Sequence, residues 1–306
     1  MRDAFISELT ALAEEDNSIF LVVGDLGFSV IEEFAERFPD RFLNAGVAEQ
    51  TMLGVAAGLA AFGYKVFVYS IGNFPTVRCL EQIRNDVCYH NRSVTVVSVG
   101  GGLSYGNLGY THHAIEDIAL MRALPNMRVF SPADPVEARA LTRYAAENPG
   151  PGYLRLGKNG EAVLPREPHE SVSPGRVEVL RQGTDVALLA TGSITGISLD
   201  AAALLAAKGV SARVISVPFV KPLPGEVLEA VLDVQAIVTI EEHSEVAGFG
   251  SAILEAASRR RLMTPIAVVG LPEDLAGKFI GSQGYLRERG GLTPGAIAER
   301  ALELIA

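Results

Sequence analysis

The sequence of 306 residues has few of the features that mark several common classes of protein. Its two cysteines, Cys79 and Cys88, match the spacing of neither a zinc-binding pair nor a redox Cys-x-x-Cys motif, so we expect buried, reduced thiols. With 26 Lys and Arg against 36 Asp and Glu, the net charge of -10 argues against nucleic acids and anionic membranes as partners. No apolar stretch approaches the roughly 20 residues that span a bilayer, and the N-terminus lacks the apolar run of a secretory signal. These absences predict a soluble, cytoplasmic protein that binds small molecules or other proteins.

Several catalytic motifs are also missing. There is no G-x-G-x-x-G after the first predicted strand, no G-x-x-x-x-G-K-[ST] and no G-x-S-x-G, which excludes a dinucleotide fingerprint, a P-loop and a hydrolase nucleophile elbow. The five histidines include no H-E-x-x-H pair and have no cysteine partner, so we expect no zinc site built from this chain.

The hydrophobic residues, 48% of the chain, fall into short apolar runs that alternate with amphipathic stretches. This alternation is typical of an α/β fold in which helices cover both faces of a mostly parallel sheet, and the length allows two such domains. The pattern stops in a charged, proline-containing stretch, so we predict a first domain over 1–165, a linker over 166–175 and a second, smaller domain over 176–306. The predicted strands are 19–23, 66–69, 94–97, 127–130, 186–190, 213–217, 236–240 and 266–269, and the predicted helices are 31–38, 78–89, 115–124, 135–147, 196–208, 225–231, 248–259 and 294–305.

Such sheets bind ligands at the carboxyl ends of their strands. Two loops that contain glycine and polar residues follow predicted strands there, at 24–29 and at 100–113. Glycine lets the backbone approach a ligand closely, but the same composition also suits a flexible connection. Residue types alone leave both interpretations open for the 100–113 loop.

One carboxylate is conspicuous in the segment 44–60, where a strand end runs into a helix of small and apolar residues. Glu49 and Gln50 carry the strong polar chemistry of this segment. A carboxylate in the first turn of a helix is favoured by the helix dipole and needs no further role. Alternatively, Glu49 is a buried acid that shares its proton with a ligand nitrogen, since desolvation turns a carboxyl group into a usable proton donor.

A series of short motifs extends along the chain. It consists of Gly-Asp-Leu at 24–26, Asn-Ala-Gly-Val-Ala-Glu-Gln at 44–50, Phe74 followed by 78–85, Thr-His-His-Ala-Ile-Glu-Asp at 111–117, 120–127, Gly-Tyr-Leu-Arg at 152–155 and Glu-Glu-His-Ser at 241–244. In number and order these motifs resemble the C-terminal half of a transketolase, and the resemblance covers essentially the whole chain. It implies that residues 1–165 form a pyrimidine-binding domain of the thiamine-diphosphate enzymes and residues 176–306 a transketolase C-terminal domain.

The resemblance implies transfer of a two-carbon ketol unit from a ketose, expected to be phosphorylated, to an aldehyde acceptor, with thiamine diphosphate as cofactor. Glu49 matches the family's acid that protonates the aminopyrimidine ring of the cofactor. Phe74 matches the aromatic residue that stacks on this ring, with Ile71 and Tyr69 as neighbours in the pocket. His112 matches a histidine near the reacting hydroxyls of the substrate, where an imidazole passes protons at neutral pH. The expected catalytic residues are therefore Glu49 and His112.

Arg2, Ser29 and Arg155 match positions that hold the substrate's phosphate in the family. Two other positions depart from the family's pattern, because usual transketolases have a phosphate-binding histidine at the position of Gly100 and an acid at that of Leu108. That acid contacts a sugar hydroxyl, and leucine cannot accept the hydrogen bond. We therefore expect a substrate other than the usual pentose and hexose phosphates.

The family also needs a site for Mg²⁺ and the cofactor's diphosphate, built from Gly-Asp-Gly and a later asparagine. This chain has Gly24-Asp25 followed by Leu26 and offers no cluster of oxygen ligands for a divalent ion. We therefore expect a separate N-terminal transketolase subunit to hold Mg²⁺ and the diphosphate, in a homodimer of heterodimers. The C-terminal domain, including the segment 241–243, is expected to build the dimer interface rather than to contact the substrate.

Three alternatives share parts of this pattern. The β subunit of a 2-oxo acid dehydrogenase E1 has the same two-domain plan and length, but Gln50 and the Thr-His-His motif look more like transketolase. A deoxyxylulose-phosphate synthase is disfavoured by Leu108 and by the absent N-terminal half. A non-catalytic regulatory subunit has no reason to keep Glu49.

Overall fold

The computed structural model describes residues 1–166, 176–275 and 277–306. Its N-terminal part alternates strands and helices. The strands are β1 (Ile19–Val23), β2 (Phe42–Asn44), β3 (Lys65–Ile71), β4 (Val94–Val99), β5 (Arg128–Phe130) and β6 (Gly152–Leu156). The helices are α1 (Arg2–Glu15), α2 (Glu32–Arg37), α3 (Glu49–Ala61), α4 (Leu80–Gln82, which continues as a π-helix over Ile83–Cys88), α5 (Asp117–Ala123) and α6 (Pro135–Glu147).

The C-terminal part repeats this pattern. Its strands are β7 (Glu178–Arg181), β8 (Val186–Thr191), β9 (Ala212–Ser216), β10 (Phe219–Lys221), β11 (Ala236–Ser244) and β12 (Ile266–Leu271). Its helices are α7 (Thr195–Ala207), α8 (Glu226–Glu229), α9 (Phe249–Arg260), α10 (Gln283–Arg289) and α11 (Pro294–Ile305).

The strands form two sheets. The first sheet has seven strands in the order β10-β5-β6-β4-β3-β1-β2, and the second has five in the order β12-β11-β8-β9-β7. Neighbouring strands are parallel except at β10 and β7, which pair antiparallel with β5 and β9. The predicted α/β fold with two mostly parallel sheets flanked by helices is therefore confirmed. Strand β10 was not predicted, and it joins the first sheet although it belongs to the C-terminal part.

The domain boundaries remain a prediction, because residues 167–175 of the predicted linker lie outside the described residues. Of this linker, Arg166 is described. Its guanidinium pairs with Asp134, which precedes α6, and its Nε lies 2.7 Å from Glu178 Oε1 in β7. Arg166 thus connects the N-terminal and C-terminal parts.

Two helices begin where the sequence predicts because they have a capping side chain followed by proline. The Asp134 carboxylate accepts two hydrogen bonds of 3.0 Å from amides of the first turn of α6, and Pro135 follows it. Helix α11 begins in the same way, with Thr293 as the cap and Pro294 next. This combination satisfies free amides and presets the backbone for a helix.

Apolar packing joins the two parts of the chain. One cluster of buried side chains includes Val68 and Val96 of the first sheet together with Leu189 and Ile215 of the second. Full burial of a side chain of this kind contributes roughly 1.5–3 kcal/mol. The two sheets therefore share a core.

A buried arginine adds a polar link between the parts. Arg155 in β6 donates from Nε to Asp117 Oδ2 at 2.7 Å, and from Nη2 to the carbonyl oxygens of Ala114 at 2.8 Å and Glu242 at 2.9 Å. The hydroxyl of Tyr153 also donates to Asp117. The side chains of Arg155 and Asp117 are 5% and 0% exposed, so this ion pair is shielded from water.

The side chains of the segment 241–243 are buried within the chain, so they offer no surface to a second subunit. The Glu241 carboxylate accepts hydrogen bonds of 2.6 and 2.7 Å from the first two amides of α9, and Glu242 accepts one of 2.7 Å from the amide of Leu103. Burial raises the pKa of Glu241 to about 7 and lowers that of His243 to about 4. These side chains hold elements of one chain together, and an interface formed by the rest of the C-terminal domain stays a prediction.

The structure also bears on the cysteines and on membrane insertion. Cys79 and Cys88 are free and buried, as predicted. Burial raises the pKa of Cys79 to about 12 and that of Cys88 to about 11, which favours the protonated thiols. Within the described ranges, no helix is long and apolar enough to cross a bilayer.

We expect Arg155→Met to destabilise the chain strongly. Removing one partner of a buried ion pair leaves the other charge uncompensated, which costs about 3–5 kcal/mol. Urea denaturation of the purified chain measures this loss in the free energy of unfolding. Arg259→Met is the matched control, because the Arg259 side chain is 80% exposed and its loss should change stability little. Equal effects of the two variants would contradict the linking role of Arg155.

Candidate active site

The carboxyl ends of the central strands lie at one edge of the first sheet. Val23 at the end of β1 lies opposite Asn44 at the end of β2. In the same way, Ile71 at the end of β3 lies opposite Val99 at the end of β4. The loops that follow these strands therefore leave the sheet side by side, where parallel sheets bind ligands. These loops carry most of the predicted site residues.

Glu49 is the first residue of α3, and its side chain is 2% exposed. Its carboxylate pairs with Arg78, whose Nη1 lies 2.7 Å from Oε2. The loop after β1 passes close to this carboxyl group, since a Cβ on Gly24 would lie 3.5 Å from Glu49 Cγ. The structure thus shows both properties considered for Glu49, because it lies in the first turn of a helix and it is buried.

Asn44 fixes the loops that precede Glu49. Its Oδ1 accepts hydrogen bonds from the amides of Asp25 at 3.0 Å and Gly46 at 2.9 Å, and its Nδ2 donates to Asp25 Oδ1 at 3.0 Å. Asp25 has a φ of 54°, a left-handed conformation that aspartate tolerates better than most residues. These bonds join the loops after β1 and β2 at the entrance to α3.

Phe74 and His112 lie together on the loops after β3 and β4. Their ring centroids are 5.1 Å apart at an interplanar angle of 67°, and Thr111 Oγ1 lies 3.0 Å from His112 Nδ1. The guanidinium carbon of Arg78 lies 4.6 Å from the centroid of the Phe74 ring. Because Arg78 also contacts Glu49, the structure brings Glu49, Phe74 and His112 into one group.

Other predicted site residues lie around this group. Tyr69 is 1% exposed, and its ring stacks on Phe5 with centroids 5.9 Å apart, so core packing accounts for its position. Ile71 is half-buried at the end of β3. Ser29 is exposed with a φ of 66°, and its amide donates to the Glu32 carboxylate at 2.7 Å.

Comparison with known proteins assigns this arrangement to a family. Residues 1–160 match the family described as transketolase, pyrimidine binding domain, and residues 175–294 match transketolase, C-terminal domain. The chain belongs to the transketolase family. The resemblance predicted from the motifs is therefore confirmed.

The chain is similar to several separate transketolase subunits. It is 33% identical to an apulose-4-phosphate transketolase subunit of Phocaeicola vulgatus, over 99% of this chain and 97% of that protein. It is 35% identical to a 6-deoxy-6-sulfo-D-fructose transketolase subunit of a Clostridium species, over 99% and 94% of the two chains. Among solved structures, a split gene transketolase described as an inactive β4 tetramer has a TM-score of 0.87 and 38% identity, with coverage of 100% and 98%. These relatives support transketolase over the alternatives considered above.

In this transketolase-family chain, two cations near the end of β6 have different surroundings. Arg155 was predicted to hold phosphate, but its guanidinium is buried against Asp117 and two carbonyl groups, which argues against that contact. Lys158, two residues beyond β6, is exposed, and its Nζ lies 5.0 Å from the ring centroid of Tyr105. Lys158 was missed in the sequence, although its place directly after a strand was an available signal.

Tyr105 fills the space beside Gly100. A Cβ on Gly100 would lie 2.1 Å from Tyr105 Cε2, and the φ of Gly100 is +85°. Position 100 therefore accommodates no side chain while the Tyr105 ring stays in this place. The Tyr105 ring lies 6.4 Å from that of His112, between centroids. Burial raises the pKa of the Tyr105 phenol, and the charge of Arg2 opposes this rise. The departure from the transketolase pattern at Gly100 is therefore coupled to Tyr105, a second residue missed in the sequence.

The C-terminal part holds the 100–113 loop in place. The amide of Gly281 donates to the carbonyl of Gly106 at 3.3 Å, and a Cβ on Gly106 would lie 2.5 Å from the carbonyl oxygen of Gly281. His113 is buried, with Nε2 3.3 Å from the same Gly106 carbonyl oxygen. Leu108 is 55% exposed on this loop. These contacts favour a loop held in position over a flexible connection.

We expect Gly100→Ala to destabilise the chain more than Gly63→Ala. The two glycines have similar φ values of +85° and +96°, but Gly63 has no heavy atom within 4 Å of its Cβ position. The left-handed conformation costs an alanine about 1–2 kcal/mol at either site. Overlap with Tyr105 adds about 1–3 kcal/mol at position 100.

Urea denaturation of the purified variants measures both costs. In a Tyr105→Ala background, the change Gly100→Ala should lower the free energy of unfolding no more than Gly63→Ala does, because the overlap is gone. If Gly100→Ala and Gly63→Ala cost the same, the Tyr105 ring does not fill this space.

Proposed function

We propose that this chain is the C-terminal subunit of a two-chain, thiamine-diphosphate-dependent transketolase that transfers a two-carbon ketol unit from a ketose to an aldehyde. The observation that carries the proposal is the buried Glu49 carboxylate at the start of α3, grouped with Phe74 and His112. A buried carboxylate next to an aromatic ring suits a planar heterocycle with a basic nitrogen. The family assignment over both domains supports the same function.

Each residue of the group has a role in this chemistry. When bound, thiamine diphosphate supplies the nucleophilic carbon and the electron sink of the reaction. Glu49 holds a proton at the ring nitrogen of the aminopyrimidine, and Phe74 stacks on that ring. His112 exchanges protons with the hydroxyls of the substrate. Ile71, at the end of β3, is proposed as a neighbour of the bound ring.

The pyrimidine part of the cofactor fits these residues, whereas the described residues offer no site for its diphosphate. Mg²⁺ that bridges phosphates requires oxygen ligands in an octahedral array. In the part of the chain that the structure describes, no group of three or more His, Cys, Asp or Glu side chains could hold a metal ion. The N-terminal partner subunit is therefore proposed to supply Mg²⁺ and the diphosphate site.

Exposed apolar side chains on the loops near Glu49 support a partner at this edge of the sheet. Phe28, Val47 and Val77 are 70%, 78% and 47% exposed. Contiguous apolar surface marks protein interfaces, and we propose that these three side chains form such a patch. The subunit names of the relatives and the inactive β4 tetramer fit an assembly in which this kind of chain alone has no activity. We propose a cytoplasmic homodimer of heterodimers.

The substrate is proposed to be a ketose with an anionic group that lies near Lys158, Arg2 and Ser29. Lysine and arginine donors, with a serine hydroxyl, suit phosphate or sulfonate oxygens. By their names, the relatives act on a sugar phosphate and a sulfo sugar, which share an anionic group. Leu108 lies where usual transketolases have an acid, so the donor differs from the usual pentose and hexose phosphates.

We expect Glu49→Gln to abolish ketol transfer in the complex of both subunits. Glutamine keeps the volume of glutamate but cannot hold the proton, so kcat should fall by about 10²–10⁴-fold. The assay follows transfer from a ketose phosphate to an aldose, with thiamine diphosphate and Mg²⁺ present. Glu36→Gln, which changes an exposed carboxylate of α2, is the matched control and should keep the wild-type rate.

The same assay on this chain alone should show no turnover. Robust activity without the partner would contradict the two-chain proposal, and full activity of Glu49→Gln in the complex would contradict the proposed role of Glu49.

Lys158→Met should raise the KM for a phosphorylated ketose by about 10- to 100-fold, since a hydrogen bond to a charged group contributes about 1.5–3 kcal/mol. The kcat/KM for an unphosphorylated ketose should stay unchanged, because that substrate makes no such contact. Steady-state kinetics of the complex with both ketoses test this. Lys208→Met, at an exposed position after α7, is the control. Equal losses for both ketoses would argue against a phosphate contact.

A further inference from the structure

Arg78 contacts both residues that are proposed to hold the pyrimidine ring. Its Nη1 lies 2.7 Å from Glu49 Oε2, and its guanidinium carbon lies 4.6 Å from the centroid of the Phe74 ring. The Glu49 side chain is 2% exposed and that of Arg78 is 46% exposed. The carboxylate is therefore held inside the protein, whereas the guanidinium reaches it from the surface.

The Arg78 guanidinium and an aminopyrimidine ring can make the same kinds of contact with Glu49 and Phe74. Both are planar and delocalised, and both offer a hydrogen on nitrogen to a carboxylate when the ring nitrogen is protonated. A guanidinium over an aromatic face gains a cation–π attraction, and a heterocycle gains from stacking. A ring that bonded to Oε2 and stacked on the face of Phe74 that Arg78 covers would occupy the place of the guanidinium.

We propose that Arg78 competes with the pyrimidine ring of thiamine diphosphate for Glu49 and Phe74, so that its guanidinium must move away when the ring binds. The inference rests on the proposed function. Arg78 is then a positioning residue, because its guanidinium holds the Glu49 carboxylate in place until the pyrimidine ring replaces the guanidinium.

The surroundings of Arg78 allow its side chain to move while its backbone stays fixed. The Gln50 side-chain amide donates to the carbonyl of Arg78 at 3.2 Å, which ties this backbone to α3. The half-exposed guanidinium can turn into water while its carbon chain stays on the protein. The buried Glu49 carboxylate cannot move into water with the guanidinium. It then needs another hydrogen-bond donor, since an unpaired buried charge is unfavourable. The pyrimidine ring must therefore replace the Arg78 guanidinium at Glu49, which lowers the affinity for the ring but does not prevent its binding.

Arg78→Met in the assembled complex of both subunits tests the competition. Methionine keeps an unbranched side chain and removes the donors, so the ring no longer displaces an ion pair. Isothermal titration with thiamine diphosphate at saturating Mg²⁺ should give a dissociation constant about tenfold lower, the order expected when one charge-assisted hydrogen bond need not be broken. Arg78→Lys, which keeps the charge but loses the planar fork, should show a smaller decrease. Arg84→Met, an exposed arginine of the following π-helix bonded to Asn85, should leave the constant unchanged.

A second measurement needs no cofactor. Thermal unfolding of the purified chain compares Arg78→Met, Glu49→Gln and the double variant with the wild type. If the ion pair holds Glu49, Arg78→Met lowers the midpoint by more in the wild-type background than in the E49Q background. Equal shifts in the two backgrounds would overturn the pairing on which the proposal depends.

Weaker cofactor binding by Arg78→Met would overturn the proposal, because it would show that Arg78 orients Glu49 while the ring binds beside it. An unchanged dissociation constant would overturn it as well. A different result would contradict the proposed function, namely full ketol transfer by the complex that carries Glu49→Gln. Loss of that transfer together with an unchanged constant for Arg78→Met would leave the function in place and remove the competition.

Discussion

A guanidinium removed from water needs acceptors for its donors, and the way in which Arg155 obtains them organises much of the molecule. Its three acceptors come from two segments: the carbonyl of Ala114 and the carboxylate of Asp117 lie just before and at the start of α5, and the carbonyl of Glu242 lies in β11. A shift of one sheet against the other would leave this buried cation with unpaired donors. The loop that carries His112 ends beside these acceptors, so the same constraint places part of the candidate active site.

Hydrophobic periodicity predicted most of the helices and strands, although it missed α1, the longest helix of the described residues. Strand β1 coincides with the apolar run at 19–23, and α6 and α11 begin at a cap and a proline that can be read locally. Strand β10 could not be predicted in this way. Its three residues are too few to show a period, and its pairing with β5 depends on tertiary contacts between distant segments.

The candidate site was predicted where chemistry is carried by contiguous motifs, as for Glu49, Phe74 and His112. It was not predicted where the role of a residue depends on its surroundings. Arg155 and Lys158 are both cations near the end of β6, but the first lies within the strand and is buried while the second lies beyond it and is exposed. Residue type does not reveal which cation faces a ligand. The contacts of Arg155 with Asp117, Ala114 and Glu242, which come from both parts of the chain, separate the two.

The pairing of β10 with β5 also sets an order for folding during synthesis. The outer edge of β5 is covered by residues 219–221, which leave the ribosome only after the whole N-terminal part and the linker have emerged. Until then β5 presents unpaired backbone groups, an open strand edge of the kind to which other chains add. A chain shortened at the linker would keep that edge. Exchange of the C-terminal part between relatives must therefore preserve the fit of one short strand as well as the larger domain.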